Sequence, residues 1–379
     1  MIEKRLKDLA LSLGASVVGV TTRSRLADGP PSANPEYLLP GARSVIAFAA
    51  ALDGNLVDQF ISKESWRPHC DDRKAVAKTL YTVGDALVAH LRADGHAAVN
   101  VDLNNNYRPE AGAADVTEMT DFHPEFAHRY AALAAGVGRL GWSGNLLTRD
   151  HGARVELGSV LTTADLIPDD PIADADHPCD RCRMCTRVCP VEMIDPRAKT
   201  TATVGGITET IARKRPNTCC WIGCTGYEGL ATAGTWSNWS PFRLGHPLPA
   251  EKTELDALCI RLQKADPQMQ ADVGSFADYR QAIFDPDWFY YTVCGFCRSV
   301  CAHSRADRVA NRKRIAKSGT AALTLDGRHV RAGEDVVAVP TPFGLDLIVA
   351  PGGGPASRDR DLYREDQFPL EKESLLHLK

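Results

Sequence analysis

The sequence has no long hydrophobic run and little excess charge of either sign. Its longest apolar stretch covers residues 45–52, far short of the roughly 20 residues that cross a bilayer. It shows neither a secretory hydrophobic segment nor a twin-arginine signal. A net charge of −4 and a pI of about 6.3 provide no global basic field for nucleic acid. We therefore expect a cytoplasmic protein without membrane contact, and tRNA is disfavoured as a partner unless a local basic patch serves it.

Cysteine is too sparse for a disulfide framework, but it is concentrated in two runs. The chain has 12 cysteines in 379 residues, well below the density of small disulfide scaffolds. The first run reads Cys-x2-Cys-x2-Cys-x3-Cys-Pro from Cys179 to Pro190, and the second reads Cys-x2-Cys-x3-Cys from Cys294 to Cys301. The first spacing is that of a bacterial ferredoxin half-motif, in which three cysteines bind one [4Fe–4S] cluster and the fourth binds the other. A four-cysteine zinc ribbon is the alternative, and it leaves three cysteines of the runs without a role.

Two such clusters need eight thiolates, and the two runs supply seven of them. Because the last cysteine of each run binds the other cluster, the first cluster takes Cys179, Cys182, Cys185 and Cys301. The second cluster takes Cys189, Cys294 and Cys297. Four further cysteines lie between the runs. Three of them share one short segment and are the main candidates for the eighth ligand, namely Cys219, Cys220 and Cys224, whereas Cys259 is interpreted as a buried small hydrophobic residue. Spacing alone does not choose among these three.

Helices alternate with short apolar strands in the first part of the chain. Apolar residues recur at helical spacing over residues 2–13 and 76–91. Three β-branched or apolar runs predict strands at residues 16–21, 45–52 and 97–103. This alternation predicts an α/β layer architecture for residues 1–165.

The remaining sequence divides into a cysteine region and a tail. We expect an iron–sulfur domain over residues 166–310, entered through an Asp- and Pro-rich linker and containing a long insert at about 225–290. The aromatic residues of this insert form either a cover over a substrate pocket or additional core. Asp326-Gly327 lies between two short apolar runs and predicts a hairpin, so residues 311–379 form a β-rich tail with a polar end.

One glycine-rich motif resembles a dinucleotide-binding site but lies in the wrong structural context. Gly136-Val-Gly-Arg-Leu-Gly141 matches the glycine pattern of dinucleotide-binding sites, which requires a strand before it and a helix after it. Here a helical stretch, residues 126–135, comes before the glycines. The context is inverted, so we interpret the segment as a helix end that runs into a tight loop, or as a loop whose backbone approaches a large planar ligand.

The same loop carries a resemblance to a known family. The stretch from Ala135 to Gly152 continues through Leu157-Gly-Ser-Val-Leu-Thr162, and the first cysteine run follows. In this order, these segments resemble the epoxyqueuosine reductases and the corrinoid reductive dehalogenases. The opening helix and the Gly-Ala-Ser-Val-Val-Gly-Val segment after it also resemble the start of epoxyqueuosine reductases.

The resemblance implies a nitroreductase-like α/β domain that binds cobalamin, beside a ferredoxin-like domain with two [4Fe–4S] clusters. It places four residues in the segments that line the corrin, namely Gly141, Asn145, Gly158 and Thr162. It also favours Cys224 as the eighth ligand, because Tyr227 follows it as an aromatic residue follows the corresponding cysteine of the family. Cys220 is the second choice and Cys219 the remaining one.

A reductive reaction also needs a proton donor. The candidate acids before the glycine loop are Tyr107, Asp121, His123 and His128, while Arg108 could orient an anionic group. The acidic residue of epoxyqueuosine reductases has no in-register match, since Asp121 lies one position away. Together with the missing proline after Cys301, this marks a divergent member.

These features favour a reductase that removes halide or oxygen from a small organic molecule. In this interpretation electrons pass from an external ferredoxin or flavodoxin through two [4Fe–4S] clusters to a corrinoid. The tRNA-modifying epoxyqueuosine reductase itself is one alternative. The others are a cluster-dependent reductase without cobalamin and a ferredoxin-like electron carrier without substrate chemistry.

Overall fold

The computed structural model describes most of the chain, in several segments. These segments are residues 2–103, 108, 124–245, 247–272, 293–324, 328–340 and 344–350. Three of the predicted acids, Tyr107, Asp121 and His123, lie outside the described residues. So do the turn of the predicted hairpin, Asp326-Gly327, and the predicted polar end of the tail.

The first layer is a four-stranded antiparallel sheet. Its strands are β1 (Val17–Thr22), β2 (Ser44–Ala51), β3 (Ala98–Asn100) and β6 (Val155–Thr162), in the spatial order β1-β2-β6-β3. All but the last residue of β2 are buried, as expected for a continuous apolar run that has neighbours on both edges and both faces. The three strands predicted upstream of the glycine loop are confirmed, each to within three residues of its predicted ends.

Helices cover this sheet. They are α1 (Ile2–Ser12), α2 (Arg23–Leu26), α4 (Arg67–Ala93) and α5 (His128–Ala134), while α3 (Gly54–Ser62) packs against α4. The predicted stripe of α4 is confirmed, since Val76, Leu80, Val83, Leu87 and Leu91 are all buried. Gly95, with a φ of 85°, follows the helix end as predicted for a left-handed stop. The mixed α/β class predicted from the sequence is therefore correct.

The glycine loop follows helix α5 and forms a small hairpin of β4 (Arg139–Leu140) and β5 (Leu146–Leu147). A Cβ placed on Gly138 would lie 2.4 Å from the carbonyl oxygen of Leu147. The position must therefore be glycine because the two backbones of the hairpin approach too closely for a side chain. This geometry agrees with the rejection of a dinucleotide-binding site.

A second, longer hairpin lies in the cysteine region and was not predicted. Strands β7 (Ile194–Val204) and β8 (Ile207–Lys214) pair antiparallel. Gly205 and Gly206 form its turn, with φ values of 65° and 74°. Positive φ at both turn positions matches the twist of the flanking strands. The hairpin is followed by α6 (Asn217–Cys224), which carries the three main candidates for the eighth ligand.

The insert and the tail share a second sheet. Its elements are β9 (Phe242–Arg243), β10 (Ala321–Thr324), β11 (His329–Arg331), β12 (Val337–Pro340) and β13 (Asp346–Ala350). The predicted pairing is confirmed in β10 and β11, where Leu323 is opposite His329. Strand β9 belongs to the insert and pairs with β13 of the tail.

The described aromatic residues of the insert are part of the core. Trp236, Trp239 and Phe242 are at most 5% exposed, and the indole N–H of Trp239 donates to the carbonyl of Phe60 at 2.8 Å. Of the two interpretations offered for this segment, additional core is the correct one for these three residues. The domain boundaries at 165 and 310 stay predictions.

Candidate metal centres

The first group of cysteines surrounds a cavity between the two runs. The cavity is lined by Cys179, Cys182, Cys185 and Cys301. The first three come from the segment before β7, and Cys301 follows the short helix α8 (Phe296–Ser299). The structure thus brings together the four residues that sequence reasoning assigned to one cluster, across more than a hundred residues of chain.

The glycine loop forms one wall of this cavity. The backbone N–H of Trp142 donates to the Sγ of Cys179 at 3.4 Å. A Cβ on Gly141 would lie 3.4 Å from the same sulfur. The guanidinium of Arg183 lies 4.7 Å from the Trp142 ring centroid. Gly141 was predicted to face a corrin, and the structure instead places it against a cysteine.

A buried arginine also lines the first group. Arg308, in helix α9 (Arg305–Lys317), is 3% exposed and pairs with Asp180 at 2.9 Å. Its other donors bind the carbonyl oxygens of Pro178, Ala302 and His303. Because its hydrogen bonds are satisfied by both cysteine runs, Arg308 ties the two segments of the first group together.

The second group contains Cys189, Cys294 and Cys297 together with Cys220 and Cys224 of helix α6. Burial, and after it the thiols of Cys294, Cys297 and Cys220, raise the pKa of Cys189 well above its usual value. The backbone N–H of Met193 donates to the Sγ of Cys189 at 3.3 Å. Cys189 comes from the first run, so each group takes its fourth member from the other run.

The three candidates for the eighth ligand have different surroundings. The Sγ atoms of Cys220 and Cys224 lie 3.5 Å apart. Cys220 acts electrostatically on Cys189 and Cys297 as well. Cys224 is exposed, and its thiol contacts Cys294. Cys219 is buried and donates to the carbonyl of Val191 at 3.1 Å, which turns it away from the group.

The cysteines surround a space that is larger than the binding site of a single metal ion. No group of three or more Cys, His, Asp or Glu side chains within the described segments is arranged to hold a single metal ion. A four-iron cluster is larger than one ion and takes one thiolate at each iron. Two separate sets of at least four thiols, each with members from both runs, fit that donor requirement.

Cys179 is positioned by a chain of buried polar residues that the sequence analysis missed. Its backbone N–H donates to Nδ1 of His177 at 3.0 Å, so the proton of the neutral ring lies on Nε2. Nε2 contacts Glu209 at 3.1 Å, and Glu209 pairs with Arg139 at 2.5 Å. Although burial opposes it, these two partners hold the pKa of Glu209 below its usual value.

A second buried network joins the first sheet to the second cysteine run. Glu156 of β6 accepts from Arg73 at 3.0 Å and from Arg298 at 2.6 Å. Burial alone would raise the pKa of Glu156, but the two arginines bring it down to about 2. Arg298 lies between Cys297 and Cys301, so this carboxylate fixes the second run on the sheet.

The described residues predicted to line a corrin do not form one surface. The side-chain amide of Asn145 contacts the Sγ of Cys297 at 3.8 Å. Gly158 lies in β6, where a Cβ would meet the Phe48 ring at 2.4 Å. Thr162 is fully buried and donates to the carbonyl of Ala97 at 3.0 Å. Gly141 and Asn145 thus face cysteines, whereas the other two pack in the sheet, so these residues do not fit a single cobalamin face.

The described candidate for the acid has a packing role. His128 is buried, with Nδ1 at 3.0 Å from the Ser159 hydroxyl and Nε2 at 3.0 Å from the carbonyl of Asp102. Burial lowers the pKa of His128 to about 4, so the ring is neutral at pH 7 and both nitrogens are engaged. This geometry argues against the predicted role as a proton donor. Arg108, predicted to orient an anion, donates to the carbonyl of Glu125 and lies over the Tyr37 ring.

Sequence comparison identifies relatives of the chain. No family model matches it. An epoxyqueuosine reductase of Bacillus cereus is 29% identical over 157 residues, which cover 41% of this chain and 37% of that protein. The Synechococcus enzyme of the same name is 42% identical over 63 residues, covering 17% and 19%. The chain spans less than half the length of these two relatives. The predicted resemblance is confirmed, and the chain is a divergent relative of the epoxyqueuosine reductases.

Solved structures give weaker matches. An epoxyqueuosine reductase with a modified tRNA stem loop aligns with a TM-score of 0.35 at 19% identity, covering 51% of this chain and 52% of that one. A reductive dehalogenase aligns with a TM-score of 0.44 at 19% identity, covering 72% and 35%. These scores are too low to assign a function to the chain. None of the helices in the described segments combines the length and hydrophobicity that a membrane crossing requires.

Proposed function

We propose that this chain binds two [4Fe–4S] clusters and acts as an iron–sulfur reductase that receives single electrons from an external ferredoxin or flavodoxin. The observation that carries the proposal is the exchange of Cys189 and Cys301 between the two cysteine groups. A two-cluster ferredoxin uses this crossing, and a zinc ribbon has no need of it. Bound clusters would supply one-electron storage at a low, tunable potential.

The ligand sets follow from the two groups. The first cluster takes Cys179, Cys182, Cys185 and Cys301. The second takes Cys189, Cys294 and Cys297, and its fourth thiolate, the eighth of the pair, is Cys220 rather than Cys224, which the resemblance favours. We favour Cys220 because its thiol acts electrostatically on Cys189, Cys294 and Cys297, whereas the thiol of Cys224 contacts Cys220 and Cys294.

The chain's own residues would tune these clusters through hydrogen bonds. The N–H groups of Trp142 and Met193 point at sulfurs of the first and second group, respectively. The amide of Asn145 contacts a third sulfur, that of Cys297. Hydrogen bonds to cluster sulfur stabilise the more negative, reduced state and so raise its potential.

Cobalamin is not part of this proposal. The four residues that the resemblance assigned to the corrin do not fit one, as described above. The substrate class we propose is a small organic molecule that accepts electrons and protons. The same metal analysis that tests the clusters decides whether a corrinoid is present.

The test is anaerobic reconstitution with iron, sulfide and hydroxocobalamin, followed by desalting and metal analysis. About eight irons per chain are expected, with electron paramagnetic resonance signals of two [4Fe–4S] clusters after reduction. Four irons or fewer, or zinc in their place, would overturn the proposal. One cobalt per chain would restore the corrinoid reductase as the function.

A second candidate function is tRNA epoxyqueuosine reduction. It is favoured by the sequence matches described above, which both carry that name. The reconstituted protein with a chemical reductant should then convert epoxyqueuosine in a tRNA stem loop to queuosine, as followed by nucleoside mass spectrometry. Absence of product with a protein that holds both clusters would exclude this second candidate.

A further inference from the structure

Two positively charged side chains meet at one turn of the glycine loop. The guanidinium of Arg129, on helix α5, donates to the carbonyl oxygen of Gly144 at 3.4 Å. On the other side of the same residue, the Nζ of Lys214 would lie 3.0 Å from a Cβ built on Gly144. Two like charges on one turn repel each other, so the arrangement is unfavourable without an anion.

Three other cations near the cysteine groups are neutralised by carboxylates. Arg139 pairs with Glu209, Arg298 with Glu156 and Arg308 with Asp180. Within the described residues, neither Arg129 nor Lys214 has a carboxylate partner. The contrast matters because the three paired arginines are mostly buried, where an unpaired charge is costly. Arg129 is half-buried and Lys214 is exposed as a residue, so both side chains can reach a ligand.

The turn lies beside the second cysteine group. Asn145 follows Gly144 directly, and its amide contacts the Sγ of Cys297. Lys214 acts electrostatically on Cys297 and Cys220. The ammonium lies against the loop although the residue as a whole is exposed, and this partial desolvation, with Arg129 next in importance, lowers the pKa of Lys214. An anion held at this turn would lie next to the proposed second cluster.

The chemistry of the two side chains defines the ligand class. A guanidinium offers a planar pair of donors that fits the oxygens of a carboxylate or phosphate, and an ammonium adds a flexible point charge. We propose that Arg129 and Lys214 form an oxyanion subsite at Gly144 that holds a carboxylate or phosphate group of the substrate beside the second cluster. This inference rests on the proposed reductase function.

The test is calorimetric titration of the reconstituted protein with two probes, benzoate and inorganic phosphate. At least one probe should bind, and which one binds distinguishes a carboxylate from a phosphate ligand. Lys214→Gln and Arg129→Gln should each weaken binding about tenfold or more, since a hydrogen bond to a charged group contributes roughly 1.5–3 kcal/mol. Lys214→Arg should retain most of the affinity. Lys78→Gln, which removes an exposed charge of α4, is the matched control and should bind like the wild type.

Two results would overturn the subsite. One is a wild-type protein that binds neither probe, and the other is unchanged affinity in both glutamine variants. Iron is measured on the same preparations. A preparation that lacks iron but binds the probe in a Lys214-dependent manner counts against the clusters and not against the subsite.

Discussion

The Sγ atoms of Cys220 and Cys224 lie 3.5 Å apart, one helical turn from each other on α6. Both thiols are close to Cys294, so the second cysteine group contains one thiol more than a four-iron cluster needs. Cys220 also acts electrostatically on Cys189 and Cys297, whereas Cys224 is exposed as a residue. We therefore expect the two cysteines to have different roles despite their contact.

Replacement of these two cysteines should have unequal effects on iron content. Cys220→Ala should lose about half of the iron, since the second cluster loses a ligand and the first does not. Cys224→Ala should retain most of its iron. Iron and sulfide per chain, measured after anaerobic reconstitution, check this. Cys259→Ala, a buried cysteine of α7 (Lys252–Asp272), is the control, and a reversed order of the first two variants would contradict the assignment.

Glu209→Gln should destabilise the fold strongly. It leaves the buried guanidinium of Arg139 without its main charge partner, and breaking a buried pair costs about 3–5 kcal/mol. Urea unfolding at pH 7 measures the change in the free energy of unfolding. Glu36→Gln breaks an exposed pair with Arg23 and should change stability by less than about 1 kcal/mol. Equal effects of the two variants would show that the Glu209 network is not structural.

Stability should fall on mild acidification because of His128. Its pKa is about 4 in the fold, lowered mainly by burial, and about 6.5 in an unfolded chain. The unfolded state therefore binds the proton first, so this contribution is complete above pH 6.5 and is lost as the pH falls toward 4, with a slope of up to about 1.4 kcal/mol per pH unit.

The comparison that isolates His128 is the pH dependence of urea unfolding in the wild type and in His128→Gln. The variant should be less stable at pH 7 and show a flatter dependence between pH 6.5 and 4. Burial lowers the pKa values of His69 and His329 as well, to about 2 and about 3, so some dependence should remain. Parallel curves for the two proteins would contradict the prediction.

Gly138→Ala should disrupt the glycine loop. The new Cβ would lie 2.4 Å from the Leu147 carbonyl oxygen, and backbone cannot yield as a flexible side chain can. We expect a loss of a few kcal/mol of stability and reduced iron in the first group, whose wall this loop forms. Gly54→Ala is the matched control, because its Cβ would have 3.8 Å to the nearest heavy atom. Retention of both iron and stability in Gly138→Ala would argue against the rigid loop.

Helices and strands that are determined by the local residue pattern could be predicted from the sequence. The stripe of α4, the strands of the first sheet and the β10–β11 pair all follow from apolar period and turn residues. The β7–β8 hairpin had a signal of the same kind, since Gly205-Gly206 lies between β-branched runs. The hairpin was not predicted, because the cysteine spacing is the stronger pattern in that region.

The partners of individual side chains could not be predicted, because they depend on tertiary contacts between distant segments. Glu209 looks like one polar residue in an alternating strand, and its buried contacts with Arg139 and His177 appear when the hairpin packs on the glycine loop. The choice between Cys220 and Cys224 similarly depends on which way helix α6 faces. Gly158 and Thr162 matched a family pattern, yet their environments are those of a packed sheet.

The exchange of Cys189 and Cys301 makes the two cysteine groups interlocked. Neither group is complete until residues on both sides of a segment of about a hundred residues have met, so loop closure over that distance must precede the fourth ligand of each cluster. Cluster insertion would then be a late event that reports a finished fold. A chain cut before Cys294 would lose both clusters rather than one.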